Sequence, residues 1–340
     1  INLIKTYRHD STRNIMLCLF QKNADSIWVG TAGGVFIFNN VTGELSAWPH
    51  NRDLNGAEGR GIYKIFQDSL GSIWFSRWGG GLVRYSPGTS TFKSFLSNAN
   101  DSAGLRSKGI TDIIEDRSGN LWVTSLEVGI SRLIDGTDRF RHYLSGNDSW
   151  DLYEDSEGKV LAGTDKGLYW YNKKDDKFLP FFDLQSQLST QKIHAVIEDN
   201  QKNLWITTPS ELVKINPSRN EVFIFSNTFG IAPNSLQLKS IFLTKKGQIL
   251  VGHGKGFYAF FPDELSVKAQ PKITITDFFI NNLPVMAGKG SILQQPIEET
   301  NQLALNHTQN NLIFDFTVLD FRAPEAIKYY SMLENYDNVW

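Results

Sequence analysis

The sequence predicts an all-β protein whose larger part is a β-propeller. Three observations predict this fold: six internal repeat units, short alternating apolar segments within each unit, and no helical apolar period in any unit. The composition agrees, because 13 % of the 340 residues are aromatic and 28 are Gly, while only 3 are Met. Aromatic residues favour strands, and glycines favour tight turns.

A strand centred on Trp or Leu marks each repeat unit. The segment 71–75 (GSIWF) is echoed by 119–123 (GNLWV), and weaker copies replace Trp by Leu. The anchors are separated by 46, 48, 39, 44 and 45 residues, which is too regular for chance. They are Trp28, Trp74, Trp122, Leu161, Trp205 and Leu250. We expect the Trp side chains to fill the space between neighbouring units.

The unit around Trp74 shows the interior of a repeat. An alternating segment, 62–67, precedes a D-x-x-G turn from Asp68 to Gly71, and a Gly-led segment, 81–85, follows the anchor. A fourth alternating segment, 92–95, closes the unit. Four short antiparallel strands in about 45 residues are typical of a propeller blade. The sequence therefore predicts six four-stranded blades, with seven possible.

The two ends of the repeat array predict how it closes. Residues 2–7 resemble a fourth strand without its blade, and the last unit stops at 260–262 before its own fourth strand. We expect the N-terminal strand to complete the last blade, which removes an open sheet edge. The alternative is that residues 1–7 belong to a preceding blade of a larger array.

A second domain follows the propeller, which we assign to 1–265. Residues 266–340 contain three strand-like segments, 271–280, 311–320 and 327–333, separated by turns. This pattern predicts a small β-sandwich, of which only the N-terminal part is present.

The repeats and the tail together resemble one family. The units with the pattern G-x-L-W-[VI]-x-T resemble two-component regulator propeller repeats, and 311–316 (NLIFDF) followed by 329–340 (YYSMLENYDNVW) resembles the first half of a Y_Y_Y domain. The resemblance implies the periplasmic sensor region of a bacterial hybrid two-component or one-component regulator. It also implies a homodimer through the C-terminal domain and a histidine kinase or diguanylate cyclase output that is absent here. The six counted units depart from the seven blades that are usual in that family.

Charge and motifs exclude several function classes. A net charge of −2 lacks the basic excess of a nucleic-acid binder, and the single Cys18 permits no internal disulfide. We find no nucleophile, phosphate-binding, dinucleotide or zinc motif, and the acidic turns lack the density of calcium loops. We therefore expect no catalytic residue, cofactor or metal in this chain. No run of about 18 apolar residues occurs, so membrane contact is expected only through absent segments.

Blade topology predicts where a ligand would bind. Because strands alternate in direction, loops from second to third strand and loops between blades share one face, where unlike residues collect. An exposed Trp beside Arg suits a sugar with a carboxylate or sulfate. The alternative is an ordinary solvated rim. The candidates on this face are Arg77, Trp78, Glu127, Asp165, His253, Lys255, Arg60 and Arg106.

Three functions remain open from the sequence. The favoured one is an extracytoplasmic ligand-sensing domain that binds a glycan or another small ligand on this face. The second is a propeller polysaccharide lyase or hydrolase, which requires a convergent catalytic cluster that no motif supplies. The third is a protein-interaction scaffold without a small ligand.

Overall fold

The computed structural model describes residues 15–54, 61–98, 101–181, 192–226, 229–265 and 273–318. The chain divides into two compact units, Ile1–Pro262 and Asp263–Trp340. Both are built from antiparallel strands, and helical structure within the described residues is limited to short segments such as α1 (Asn51–Leu54). The predicted all-β class with propeller blades is confirmed.

The described residues of the first unit form six sheets, and in each sheet the strands are neighbours in chain order. We call these sheets blades 1 to 6. The strands of blades 1 to 3 are β1 (Met16–Gln21), β2 (Ser26–Thr31), β3 (Gly34–Asn39), β4 (Leu45–Ala47), β5 (Ile62–Gln67), β6 (Ile73–Arg77), β7 (Gly81–Ser86), β8 (Thr91–Phe95), β9 (Ile110–Glu115), β10 (Leu121–Ser125), β11 (Gly129–Leu133) and β12 (Phe140–Tyr143).

Blades 4 and 5 repeat the four-stranded pattern, and blade 6 has three strands among the described residues. The strands are β13 (Ser149–Glu154), β14 (Val160–Thr164), β15 (Gly167–Asn172), β16 (Lys177–Pro180), β17 (Ala195–Glu198), β18 (Leu204–Thr207), β19 (Leu212–Ile215), β20 (Val222–Phe225), β21 (Leu236–Leu243), β22 (Ile249–His253) and β23 (Gly256–Phe260). The segment predicted to complete blade 6, residues 2–7, lies outside the described residues.

The first strands of the blades surround a common axis. Each first strand contacts the first strand of the next blade from β1 through to β21. A side chain of blade 6 also reaches across to blade 3, where the Nζ atom of Lys239 donates to the carbonyl oxygen of Thr111 at 2.9 Å. Residues on the first strands therefore lie close to the centre of the unit.

The Trp anchors are buried, and the indoles of three of them donate a hydrogen bond to the aspartate of the preceding turn. Trp122 is fully buried, and its indole Nε1 donates to Oδ2 of Asp116 at 2.7 Å. The same bond joins Trp74 to Asp68 and Trp205 to Asp199, also at 2.7 Å. The turn aspartates thus bind the turn amides and also satisfy a buried indole donor, which would otherwise cost free energy.

Glutamates at the ends of first strands link neighbouring blades. Oε2 of Glu198 in blade 5 accepts from the backbone amide of Ser156 in the turn of blade 4 at 2.8 Å. Glu115 binds Ser69 in the same way, and Glu154 binds the amide of Arg117. Each bond crosses one boundary between blades, on the face that carries the D-x-x-G turns. We call this repeated bond from a glutamate to the turn of the preceding blade the clasp.

The packing changes at the first and last blades. Ile65 on β5 and Ile113 on β9 are 2 % and 0 % exposed, whereas Leu19 at the equivalent register on β1 is 59 % exposed. Leu82 follows the Gly that begins β7 and is fully buried, whereas Phe257 follows the corresponding Gly256 of β23 and is 65 % exposed. Apolar positions that pack between blades elsewhere are therefore open to solvent here.

The second unit contains one antiparallel sheet in its described part. Its strands are β24 (Ile273–Ile280), β25 (Leu283–Pro284) and β26 (Leu312–Val318), with β24 in the centre. Asn281 and Asn282 connect β24 to β25 with φ of 50° and 66°, as Asn tolerates in tight turns. The strand predicted at 327–333 and the segment 329–340 of the Y_Y_Y resemblance lie outside the described residues.

Candidate ligand-binding face

Hydrogen bonds tie the second-to-third-strand hairpins to the loops between blades. The backbone amide of Trp78 donates to the carbonyl of Gly61, and that of Leu126 donates to Gly109. Blade 6 follows the same rule, because Gly254 donates to Ser235. These loops therefore share one side of the first unit, which we call the loop-rich face, as the topology predicts.

Two neighbouring candidates on this face have opposite environments. Arg77 is the last residue of β6 and is only 2 % exposed, and burial lowers the pKa of its guanidinium. Trp78 is 47 % exposed and stacks on Tyr63 of β5, with ring centroids 5.2 Å apart and planes at 30°. The pair of aromatic rings, and not the Arg, is the group that meets solvent.

Asp148 brings two further candidates together. Its Oδ1 accepts from the amide of Glu127 at 2.7 Å, and its own amide donates to Oδ1 of Asp165 at 3.0 Å. Glu127 has a φ of 65°, so this contact holds a residue other than Gly in the left-handed region. The carboxylate of Asp165 therefore has a structural partner, while the Glu127 side chain is exposed.

The remaining candidates make local contacts. His253 stacks on Tyr258 with ring centroids 4.5 Å apart, and its Nδ1 accepts from the amide of Lys255 at 3.4 Å. Arg106 donates to the carbonyl of Ser102 at 2.9 Å. Arg60 lies outside the described residues.

A charged cluster that the sequence interpretation missed lies on the first strands; we call it the axial cluster. Lys64 and Lys239 place their Nζ atoms 2.9 and 2.7 Å from Oδ1 of Asp112. Oδ2 of Asp112 accepts from the amide of Leu152 at 3.1 Å. Asp151, the fourth member of the cluster, accepts from Val196 at 2.8 Å and is 8 % exposed.

Burial and charge shift the carboxyl groups of this cluster in opposite directions. Burial alone would raise the pKa of Asp112, but the charges and hydrogen bonds of Lys239 and Lys64 outweigh it and hold that pKa well below its usual value. For Asp151, burial together with the negative charge of Asp112 raises the pKa to about 7. The two carboxyl groups thus have different protonation near neutral pH.

The axial cluster lies just inside the loop-rich face. Lys64 pairs with Ser76, one residue before Arg77 ends β6, and Asp112 likewise pairs with Thr124 near the end of β10. A signal for it exists in the repeat, because Lys64, Asp112 and Asp151 each stand ten residues before their anchor. The contact with Lys239, which is 128 residues from Thr111, has no local signal.

The described residues contain no group of three or more His, Cys, Asp or Glu side chains arranged to hold a metal ion. Within the same part of the chain, no helix has the length and hydrophobicity needed to cross a bilayer.

His194 is buried and its Nδ1 lies 3.1 Å from the carbonyl oxygen of Leu236, and burial lowers its pKa to about 4.

Two segments of the chain match a known family of repeats, and the chain is similar to a known protein. Residues 104–127 and 187–210 match the two-component regulator propeller model. The chain is 23 % identical over 331 residues to histidine kinase P4 of Formosa agariphila, covering 93 % of this chain and 24 % of that protein. The chain thus spans about a quarter of this curated relative.

Solved structures share the fold. The extracellular domain of a putative hybrid two-component system from B. thetaiotaomicron is 19 % identical, with a TM-score of 0.55 over 93 % of this chain and 49 % of that one. Virginiamycin B lyase from Staphylococcus aureus is 14 % identical, with a TM-score of 0.52 over 74 % of this chain and 84 % of that one. At these identities the likeness concerns the fold alone.

The fold is that of a β-propeller, and two segments of it match two-component regulator propeller repeats. Its similarity is to extracellular domains of hybrid two-component systems and to a histidine kinase, as the sequence resemblance predicted.

Proposed function

We propose that this chain is the extracytoplasmic ligand-sensing part of a transmembrane signal-transduction regulator, with the kinase or cyclase output carried by another part of the protein. The observation that carries the proposal is the match of two segments to two-component regulator propeller repeats, on a fold that is similar to extracellular domains of hybrid two-component systems. The location proposed is the periplasm. A ligand acts in such a receptor only by binding one arrangement of the protein better than another.

The ligand proposed is a glycan or another small molecule bound on the loop-rich face. The stacked rings of Trp78 and Tyr63 support this choice, because an exposed aromatic pair offers an apolar platform for a sugar ring. Homodimerisation through the C-terminal unit is part of the proposal, and sedimentation of the chain with and without residues 263–340 tests it.

A thermal-shift screen of glycans against the 340-residue chain tests ligand binding. We expect a hit whose affinity falls about 2- to 10-fold in Trp78→Ala, since a ring contact contributes about 0.5–1.5 kcal/mol. The matched control is Leu70→Ala, which removes an exposed apolar side chain (91 % exposed) in a turn of the opposite face. Equal affinities in wild type and Trp78→Ala would remove the proposed site, and turnover of a glycan would replace the sensor by an enzyme.

A further inference from the structure

Two lysines from different blades converge on one carboxylate oxygen at the axis. The Nζ atoms of Lys64 and Lys239 lie 2.9 and 2.7 Å from Oδ1 of Asp112, so they are within about 5.6 Å of each other. The Asp112 side chain is 1 % exposed, whereas those of Lys64 and Lys239 are 32 % and 23 % exposed. The buried carboxylate thus holds the ammonium groups of two lysines whose side chains are partly exposed.

The two ammonium groups have donors to spare. An ammonium group has three N–H donors. Among the described residues, Lys64 uses one donor on Asp112, and Lys239 uses two, on Asp112 and on the carbonyl of Thr111. Three N–H donors therefore remain for an acceptor that enters from solvent.

The backbone at Lys239 is unusual for a lysine. Its φ is 55°, within an irregularity of the pairing between β21 and β22. Left-handed backbone in a residue other than Gly or Asn is unfavourable and persists where the surroundings hold it, often at functional positions. In this case it accompanies the side chain that reaches from blade 6 to blade 3.

The charges around the lysines leave the cluster positive when Asp151 is protonated. The other titratable groups nearby are neutral near pH 7, because burial raises the pKa of Cys18 to about 11 and lowers that of His194 to about 4. Two ammonium groups then face one ionised carboxylate, Asp112. An anion that binds them would favour the protonated form of Asp151 further.

We propose that Lys64 and Lys239 form an anion subsite on the propeller axis that takes one carboxylate or sulfate group of the sensed ligand. The inference rests on the proposed function for the rest of the ligand. Tyr63 directly precedes Lys64 at the irregularity near the start of β5, so the aromatic pair and the anion subsite lie at the same end of that strand. The proposed ligand class is therefore an acidic glycan, either a uronate or a sulfate ester.

The test uses sodium sulfate and sodium glucuronate as probes on the 340-residue chain. Sodium chloride at matched ionic strength and glucose are the controls. We expect a saturable thermal shift with both anions at pH 6, weaker binding at pH 8, and at least tenfold weaker binding in Lys64→Gln. Lys173→Gln, which removes an exposed lysine in the turn between β15 and β16, should bind like wild type. Identical responses of wild type and Lys64→Gln to both anions would overturn the subsite.

A second measurement does not depend on the variant folding. In wild-type protein labelled biosynthetically with ¹³Cε-lysine, which keeps all three N–H donors of each ammonium group, two lysine signals should shift saturably with sulfate or with glucuronate. Lysine signals that neither anion shifts would overturn the subsite. The glucose arm separates the two proposals. If neutral and acidic glycans bind equally well, the anion subsite is refuted but the glycan ligand is not. If sulfate binds and no glycan binds, the glycan ligand is refuted but the anion subsite is not. A response to glucuronate but not sulfate, or the reverse, supports the subsite and identifies which acid it takes.

Discussion

The bond between Asp116 and the Trp122 indole should contribute measurably to stability. Trp122 is fully buried, and Nε1 donates to Oδ2 of Asp116 at 2.7 Å. Asp116 also accepts from the amides of Ser118 and Asn120. A buried unsatisfied donor costs about 1–3 kcal/mol, and bonds to a charged acceptor are stronger than neutral ones. We therefore expect Asp116→Ala to cost about 3 kcal/mol, of which about 2 kcal/mol is coupling to the indole.

A double-mutant cycle measures that coupling directly. The variants are Asp116→Ala, Trp122→Phe and the double substitution, and urea unfolding is followed by fluorescence and circular dichroism, whose transitions must coincide. Asp155→Ala is the control, because Asp155 binds the two equivalent turn amides but precedes Leu161, which has no indole; its Oδ2 instead lies 3.7 Å from the guanidinium of Arg219. A coupling energy below about 0.5 kcal/mol would show that the bond to the Trp122 indole does not stabilise the fold and that Asp116 acts only through the turn amides.

Three further predictions follow from the same packing and charges. Ile65→Ala should cost about 2–5 kcal/mol because Ile65 is 2 % exposed, whereas Leu19→Ala at the equivalent register should cost under about 1 kcal/mol; equal urea midpoints would contradict the open packing of blade 1. Glu198→Ala should cost about 2 kcal/mol because it breaks bonds to Ser156 and to Arg219 at 2.9 Å, whereas the exposed Glu157→Ala should leave the unfolding midpoint nearly unchanged; equal effects would contradict the clasp. Burial and the charge of Asp112 raise the pKa of Asp151 to about 7, so the stability that the protonated carboxyl group contributes at low pH is lost as the pH rises through about 7. Asp151→Asn should therefore stabilise the fold more at pH 8 than at pH 5. If the urea midpoints of wild type and Asp151→Asn differ by the same amount at both pH values, Asp151 titrates normally.

Local patterns explain why the blades were predictable. The D-x-x-G turns and the Gly-led third strands recur within each unit, and positive φ at Gly71, Gly119 and Gly158 is a local requirement that Gly meets. The order of four strands follows from their short connections. Blade 6 was also predicted without a fourth strand of its own, since the repeat pattern stops at 260–262.

The contacts of individual side chains could not be predicted in the same way. The aspartates were interpreted as turn residues and the tryptophans as core, yet one bond joins Asp116 to Trp122. Arg77 and Trp78 are adjacent in sequence, but Arg77 still belongs to β6 and is buried, while Trp78 is exposed. Their different environments depend on packing between blades, which an isolated repeat does not encode.

The axial cluster is the part of the site that could be predicted least from the sequence. A charged residue ten positions before an anchor is visible in the sequence, but alternation alone places it on a strand without saying what faces it. The contact between blade 6 and blade 3 arises only when the blades surround one axis. Charged side chains on the first strands were therefore missed as candidate site residues, although they lie just inside the face that topology had selected.

Hydrogen–deuterium exchange of the chain with and without a glycan found in the screen tests whether the loop-rich face binds the ligand. We expect protection to be confined to the hairpins and loops of the loop-rich face, including residues 77–81 and 107–110, and to the first strands next to them. Protection centred on the D-x-x-G turns at 68–71, 116–119 and 155–158 would contradict the proposed binding face.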